Sequence, residues 1–348
     1  MRPSLCARVL EREFLAATAG VHTPVMLWGP PGVGKSQLVS AVAAQHAVRL
    51  VDMRLAQLEP TDLRGIPFRD GASISWAPPV TLPRADRDGP RGILFLDEIT
   101  SALPTVTAAA YQLILDRRLG EYQVPPGWAI LAAGNRHGDR GVTYAMPAPL
   151  ANRFAHYEIE PDLDDWVQWA IRQGVDARLI AFLRFRPDLL LAFDPARSSA
   201  AFPSPRSWEF VNRALAKFGD DPVLQAESVN GCVGAAAGLA LRAYLEHVAG
   251  LPDPALIIAG EVNAAPRTVE LQYAVATSLA RYVERLPEPA RAAAVNRSLE
   301  FARTFPTREI GVMLVVDLAR GFRQPLYSLA AFAPWANEVG DLLSRDVA

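Results

Sequence analysis

The chain has 348 residues, half of them apolar and 21% charged, a balance that excludes a disordered polypeptide and is large enough for two domains. A formal net charge of −2 gives no global attraction to nucleic acid or anionic lipid, so neither is an expected partner. Two cysteines, Cys6 and Cys232, stand far apart in no ligand spacing, which argues against a disulfide framework or a zinc site and for a reduced, cytoplasmic setting.

The N-terminus carries Arg2, Arg8, Glu11, Arg12 and Glu13 where a signal peptide would be apolar, so no export signal is expected. Short apolar runs follow at 25–28, 48–53, 93–97, 129–134 and 156–160, separated by helical stretches such as 35–47 and 105–118. Continuous runs of this length predict five strands of a mostly parallel sheet covered on both faces, the α/β class. Residues 65–79 interrupt the alternation with an Asp70-Gly71 turn between two extended stretches, a predicted hairpin inserted after the second strand. Beyond Pro161 the pattern is helical, and several segments open on Asp, Ser or Pro where a cap or first-turn residue is wanted. Domains are therefore expected at 1–161, 162–250 and 251–348, the last break falling at the Leu251-Pro-Asp-Pro interruption. The longest apolar run, 232–241, is about half the ~20 residues of a membrane span, and no anchor is expected.

The chemistry gathers in "GPPGVGKS", residues Gly29, Pro30, Pro31, Gly32, Val33, Gly34, Lys35 and Ser36, with Gln37 next along the helix. It fits G-x-x-x-x-G-K-[ST] between a predicted strand and a predicted helix, the context in which backbone N–H groups and a helix N-terminus cradle phosphates. Lys35 is one of only two lysines in the chain, with Lys217. A compact ammonium here is not interchangeable with a planar guanidinium. Lys35 is expected on the β- and γ-phosphates and Ser36 on Mg²⁺. "ILFLDEI" places Asp97 and Glu98 at a strand's C-terminal end, where α/β sheets bind ligands; Asp97 suits Mg²⁺ and Glu98 suits deprotonation of a water. The alternative is an acidic cap on the following helix.

Three more features bring the chain to a family: Asn135 closes the fourth strand, Arg153 lies in "MPAPLANRF" before the fifth, and Arg206 lies in "PSPRSW" at a helix start. With the loop and "LDEI", they resemble the five signatures of AAA+ ATPases, and the hairpin insertion, "DLRGIP" at 62–67 and "SPR" at 204–206 resemble the MoxR branch. The likeness spans about residues 5–215. It implies a P-loop core with a five-stranded parallel sheet, then an all-α lid and a C-terminal helical extension. It also implies roles: Asn135 holding the attacking water or γ-phosphate, Arg153 reaching a neighbour's nucleotide, and Arg206 contacting the γ-phosphate of its own subunit. Taken singly, each has an ordinary alternative: Asn135 as a strand-end turn residue, Arg153 as a solvated arginine and Arg206 as a first-turn arginine. Relatives often carry proline and aspartate where this chain has Arg136 and Asn152, so Arg136 or Arg140 could share the finger's work, while His137 reads as a surface loop residue.

The resemblance further implies a Mg²⁺-dependent ATP hydrolase working as a homo-oligomeric ring, a hexamer, that remodels or activates a partner, often a protein with a von Willebrand factor A domain. Phe68, Ile74 and Trp76 of the hairpin are expected either to face a client or to pack on the chain's own sheet. Two rivals stand beside this reading: a nucleic-acid motor or clamp-loader-like ATPase, which would show steeply salt-dependent DNA binding, and a non-catalytic nucleotide-dependent scaffold.

Overall fold

The computed structural model describes residues 1–136, 139, 144–194 and 200–343. The first half runs α1 (Pro3–Thr18), β1 (Val25–Trp28), α2 (Lys35–Gln45), β2 (Arg49–Arg54), α3 (Pro60–Arg64), β3 (Ile66–Asp70), β4 (Ser73–Ala77), α4 (Ala85–Asp88), β5 (Arg91–Asp97), α5 (Pro104–Asp116), β6 (Arg118–Leu119), β7 (Tyr122–Gln123), β8 (Gly127–Gly134), α6 (Ala148–Ala151) and β9 (Ala155–Glu158). The five expected strands form one sheet in the order β2-β5-β8-β1-β9, every pairing parallel.

Alternation along the strands explains why their sequences are apolar without a break. Met26, Leu94, Leu96, Ile130 and Ala132 join a core on one face. Their neighbours Leu27, Ile93, Phe95, Leu131 and Ala133 join a separate core on the other. Successive side chains point to opposite faces, so a strand covered on both sides needs apolar residues at every position. On the first face α5 supplies Val106, Ala110 and Leu113. On the second, α1 supplies Cys6, Leu10 and Phe14, and α2 supplies Val39 and Val42. Each such fully buried Leu, Val or Phe contributes about 1.5–3 kcal/mol.

The insertion is a hairpin in which β3 and β4 pair antiparallel from Ile66↔Ala77 to Asp70↔Ser73. Its base is closed at Gly65, where φ is +88° and a Cβ would stand 1.9 Å from the Ala77 carbonyl oxygen, so only glycine fits. Ile66, Phe68 and Ile74 are exposed, whereas Trp76 is half-buried under the Arg64 guanidinium, 4.6 Å from its ring. The helix expected to reach residue 118 stops at Asp116. Arg117 turns to φ +53° and donates from Nη2 to the Pro125 and Trp128 carbonyls at 3.0 and 2.6 Å, opening the short β6–β7 hairpin.

The second half runs α7 (Leu163–Arg172), α8 (Ala177–Phe185), α9 (Pro205–Lys217), α10 (Pro222–Val233), α11 (Ala235–His247), α12 (Pro254–Ala259), α13 (Val269–Arg285), α14 (Glu288–Ala302), α15 (Arg308–Gly321) and α16 (Phe332–Leu343). The apolar run at 232–241 is broken at Gly234 between α10 and α11, and among the described residues no helix is long and apolar enough to cross a membrane. The chain divides into two compact units: Met1–Trp166 with Phe193–Ser198 and Ser204–Arg206, and Val167–Ala192 with Ser199–Pro203 and Ser207–Ala348. In the second unit α13 packs on both α8 and α15, with Gln272, Thr277 and Arg281 buried beside its apolar residues.

Buried polar groups tie these helices together. Arg184 of α8 forks onto Asp317 of α15 at 2.7 and 3.0 Å and donates to Thr277 Oγ1 of α13 at 3.0 Å, with both charged side chains about 95% buried. Removing one partner strands the other charge, whereas an apolar pair of similar volume avoids both desolvation costs. Asp317→Ala should therefore destabilise the second unit by about 3–5 kcal/mol, and the double variant Arg184→Met/Asp317→Leu should recover most of that loss. Thermal unfolding followed by circular dichroism checks this; a double variant no better than the single one would refute it.

Candidate functional site

Parallel strands bring their C-terminal ends to one edge, and the register fixes what meets there. Trp28, the last residue of β1, pairs with Gly134 at the end of β8, and Leu96 of β5 pairs with Ala132 of β8. The loop after β1, the Asp97-Glu98 pair after β5 and Asn135 after β8 are thereby neighbours.

The loop's shape depends on Gly32 at φ +81°, where a Cβ would lie 2.7 Å from Ser204 Oγ. Segment 204–206 rests on the loop there, with the Arg206 N–H donating to the Gly32 carbonyl at 3.2 Å. No backbone carbonyl among the described residues accepts from the N–H groups of Gly32, Val33 or Gly34. Donors of this kind at a helix start are anion-binding groups.

Lys35 reaches back across the loop. Its Nζ donates to the Gly29 carbonyl at 2.6 Å, the Pro30 carbonyl at 3.2 Å and Asn135 Oδ1 at 3.0 Å. Burial pushes its ammonium down to about 8; Asp97 and Asp139 oppose the shift, and Arg206 and Arg136 add to it. Beside it the Ser36 hydroxyl donates to Asp97 Oδ2 at 2.7 Å, while Asp97 Oδ1 accepts from the Glu98 N–H at 2.9 Å. Glu98 holds φ at +57°, a left-handed conformation uncommon for a residue with a side chain. It turns the chain out of β5 and leaves the Glu98 side chain half-buried beside the buried Asp97.

Ser36 and Asp97 form a hard-oxygen pair that suits Mg²⁺, an ion that takes one or two protein oxygens and fills its octahedron with phosphate oxygens and water.

Sequence reasoning missed the supports. Thr100 Oγ1 accepts from the Asn135 N–H at 3.1 Å and donates to its carbonyl at 3.3 Å, fixing the residue from both sides. Asp52 of β2 is a third acid near the pair; burial raises its carboxyl above the ordinary range, Asp97 and Glu98 raise it further, and Arg54 opposes them. Trp28 Nε1 donates to His156 Nδ1 at 2.8 Å, which leaves the proton on Nε2 to donate to the Ala151 carbonyl at 2.8 Å. Neither Thr100 nor His156 has a motif to announce it, since their partners are set by strand register.

The other expected residues are placed as follows. Arg206 sits with the loop. Arg153 lies exposed just past α6, and among the described residues its side chain has no hydrogen-bond or ion-pair partner. Arg136 is engaged within its own chain, with Asp139 at 3.3 Å and with Glu158. His137 and Arg140 lie outside the described residues.

The lowered Lys35 pKa gives a signed prediction. A bound polyphosphate stabilises the ammonium and raises its pKa, so ADP affinity should be flat below about pH 8 and fall as pH rises through it, with proton uptake on binding near pH 8.5. The unliganded fold should respond oppositely, gaining stability from about 8 toward the free lysine value near 10.4, because the unfolded chain holds the extra proton in that window. Calorimetry in buffers of different ionisation enthalpy decides it; pH-independent affinity between 7 and about 9.5 would contradict it.

Comparison with known proteins agrees with this geometry. Residues 24–154 match the family described as AAA domain (dynein-related subfamily). Protein NorQ of Paracoccus denitrificans is 30% identical over 159 residues, 43% of this chain and 57% of NorQ. Midasin of Giardia intestinalis is 29% identical over 154 residues, 42% of this chain and 3% of midasin. The chain thus spans little more than half of NorQ and a small part of midasin. Among solved structures, a RuvB mutant from Thermotoga maritima aligns with 78% of this chain and 80% of its own at 18% identity and a TM-score of 0.37. Over residues 24–154 the chain is thus similar to AAA domains of the dynein-related subfamily, and its strand order and the loop after β1 agree with that likeness.

Proposed function

We propose that the protein hydrolyses ATP and uses the cycle to remodel or activate a partner protein. The observation that carries this reading is the pair of contacts at the strand ends: Lys35 Nζ 3.0 Å from Asn135 Oδ1, beside Ser36 Oγ 2.7 Å from Asp97 Oδ2. Each is a contact that a phosphate oxygen or a phosphate-bound cation would take over. Lys35 would move from the Gly29 and Pro30 carbonyls to the β- and γ-phosphates, and the N–H groups of residues 32–34 would donate to oxygens of the β-phosphate. Ser36 and Asp97 would hold Mg²⁺, which neutralises charge on the β- and γ-oxygens.

Glu98 is the proposed general base. It takes a proton from water as the water oxygen bonds to the γ-phosphorus and the bond to the β–γ bridging oxygen breaks, giving ADP and phosphate. Asn135, its Oδ1 turned to Lys35 and its backbone locked by Thr100, keeps its Nδ2 donors for that water or the γ-phosphate. Arg206, resting on the loop through Gly32, supplies a guanidinium to the same phosphate.

Arg153 is exposed and unpaired among the described residues, so its charge is available to a neighbouring copy. A finger in trans closes the site only at a subunit interface and predicts a ring, proposed to be a hexamer. The exposed Ile66, Phe68 and Ile74 of the insertion are a proposed contact for the partner, for which a von Willebrand factor A domain protein is our first choice. Two free cysteines fit the cytoplasm.

Glu98→Gln should lower turnover by about 10²- to 10⁴-fold while ATP affinity stays within about threefold. Undiminished hydrolysis would refute the assignment. The hydrolysis-blocked protein with ATP is also the bait that should retain the partner in affinity purification. Arg153→Ala should be inactive even where it assembles, and mixing it with Glu98→Gln should restore activity at about a quarter of interfaces, those joining an intact Glu98 to a neighbour's intact Arg153. Normal turnover by Arg153→Ala alone, or no recovery on mixing, would exclude the trans finger.

A further inference from the structure

The second unit holds a partly open cavity of about 220 Å³ walled by α7, α13, α14 and α15, far larger than one water's share of liquid volume of about 30 Å³. Its lining holds four guanidinium groups, Arg172, Arg281, Arg291 and Arg320, against two carboxylates, Glu284 and Asp317. Both carboxylates are already used. Asp317 is forked by the buried Arg184 at 2.7 and 3.0 Å, with Arg320 at 3.6 Å, and Glu284 takes Arg281 Nη1 at 2.6 Å.

Three buried donor atoms of the lining lack acceptors among the described residues. Arg281 is 91% buried, and its Nε has no hydrogen-bond partner among the described residues; the same holds for the buried Arg291 Nε and Gln168 Nε2. Arg291 donates from Nη2 to the Glu284 and Leu286 carbonyls at 2.9 and 2.7 Å, which satisfies hydrogens without neutralising charge, and its nearest acid is the exposed Glu288 at 3.5 Å. Arg172 has no ion-pair partner among the described residues. A buried N–H left unpaired costs about 1–3 kcal/mol, and three around one cavity, on three different helices, call for an acceptor that enters from outside. Water would satisfy the hydrogens but would leave the surplus of guanidinium. A planar carboxylate offers oxygens in one plane, whereas these donors come from α7, α13 and α14.

We infer that this cavity is a binding site for a compact tetrahedral oxyanion, inorganic phosphate or a phosphate monoester, held by Arg281, Arg291 and Gln168 with Arg172 at the rim. The site is built from the second unit alone and stands independently of the proposed ATPase reaction. Filling it would tie together helices that otherwise meet around unpaired donors.

The test uses the full-length protein carrying Lys35→Ala, so that the loop after β1 does not hold the added phosphate. Inorganic phosphate is titrated by calorimetry and by thermal shift, with β-glycerophosphate and acetate in parallel arms. Saturable phosphate binding is expected, weakened at least about tenfold by Arg281→Lys, which keeps the charge and removes the Nε–H, and about threefold by Arg172→Ala, whose side chain is exposed and supports no packing. Tighter binding of β-glycerophosphate than of phosphate identifies the ligand as a monoester, and the reverse identifies the free ion. The inference is overturned if phosphate neither binds nor raises the melting temperature at millimolar concentration, if acetate binds as well as phosphate, or if folded Arg281→Lys and Arg172→Ala both bind phosphate unchanged.

Discussion

A half-buried ammonium organises the first unit. Lys35 lies where solvent cannot fully compensate its charge, and its pKa falls to about 8 for that reason. It is held by two loop carbonyls and by Asn135 from the next strand, while the neighbouring serine occupies Asp97. A partly buried charge at the ends of parallel strands, next to N–H groups that no backbone carbonyl among the described residues uses, is arranged for anionic oxygens. The sheet order, the left-handed turn at Glu98 and the packing of segment 204–206 on Gly32 all serve to bring the same few atoms to that point.

The sheet also connects the phosphate loop with the residue proposed to act on a neighbour. Trp28 ends β1 immediately before the loop, His156 lies beside it on β9, and the His156 ring reaches the carbonyl of Ala151, two residues before Arg153. The indole and imidazole are stacked with centroids 5.9 Å apart, so the contact is both polar and packed. Side chains that touch therefore link the end of β1 to the segment that carries Arg153.

Much of this was legible in the sequence. The five strands announced themselves because a sheet buried on both faces needs uninterrupted apolar runs, as in Ile93 to Leu96, and the hairpin because Asp70-Gly71 permits a tight reversal. Lys35, Ser36, Asp97, Glu98 and Asn135 were legible because their spacing to strand ends is local. Thr100, Asp52 and His156 were not, since their importance lies in which strand lies beside which. The β6–β7 hairpin was hidden by the helical pattern that runs through Arg117, whose left-handed turn is set by carbonyls 8 and 11 residues further on. In the second unit, α13 looked like an ordinary amphipathic helix, yet Gln272 and Thr277 on it are buried where segments distant in sequence supply partners, the Thr307 N–H for Gln272 and Arg184 for Thr277.

Nucleotide binding requires Lys35 and Ser36 to exchange their present partners for phosphate and cation, and a structure of the protein with Mg²⁺ and a non-hydrolysable ATP analogue tests this most directly. Lys35 Nζ is expected about 3 Å from β- and γ-phosphate oxygens, with Ser36 Oγ turned from Asp97 to the cation and Asn135 Nδ2 facing the γ-phosphate. A nucleotide bound elsewhere, with Lys35 still donating to Gly29 and Asn135, would contradict it.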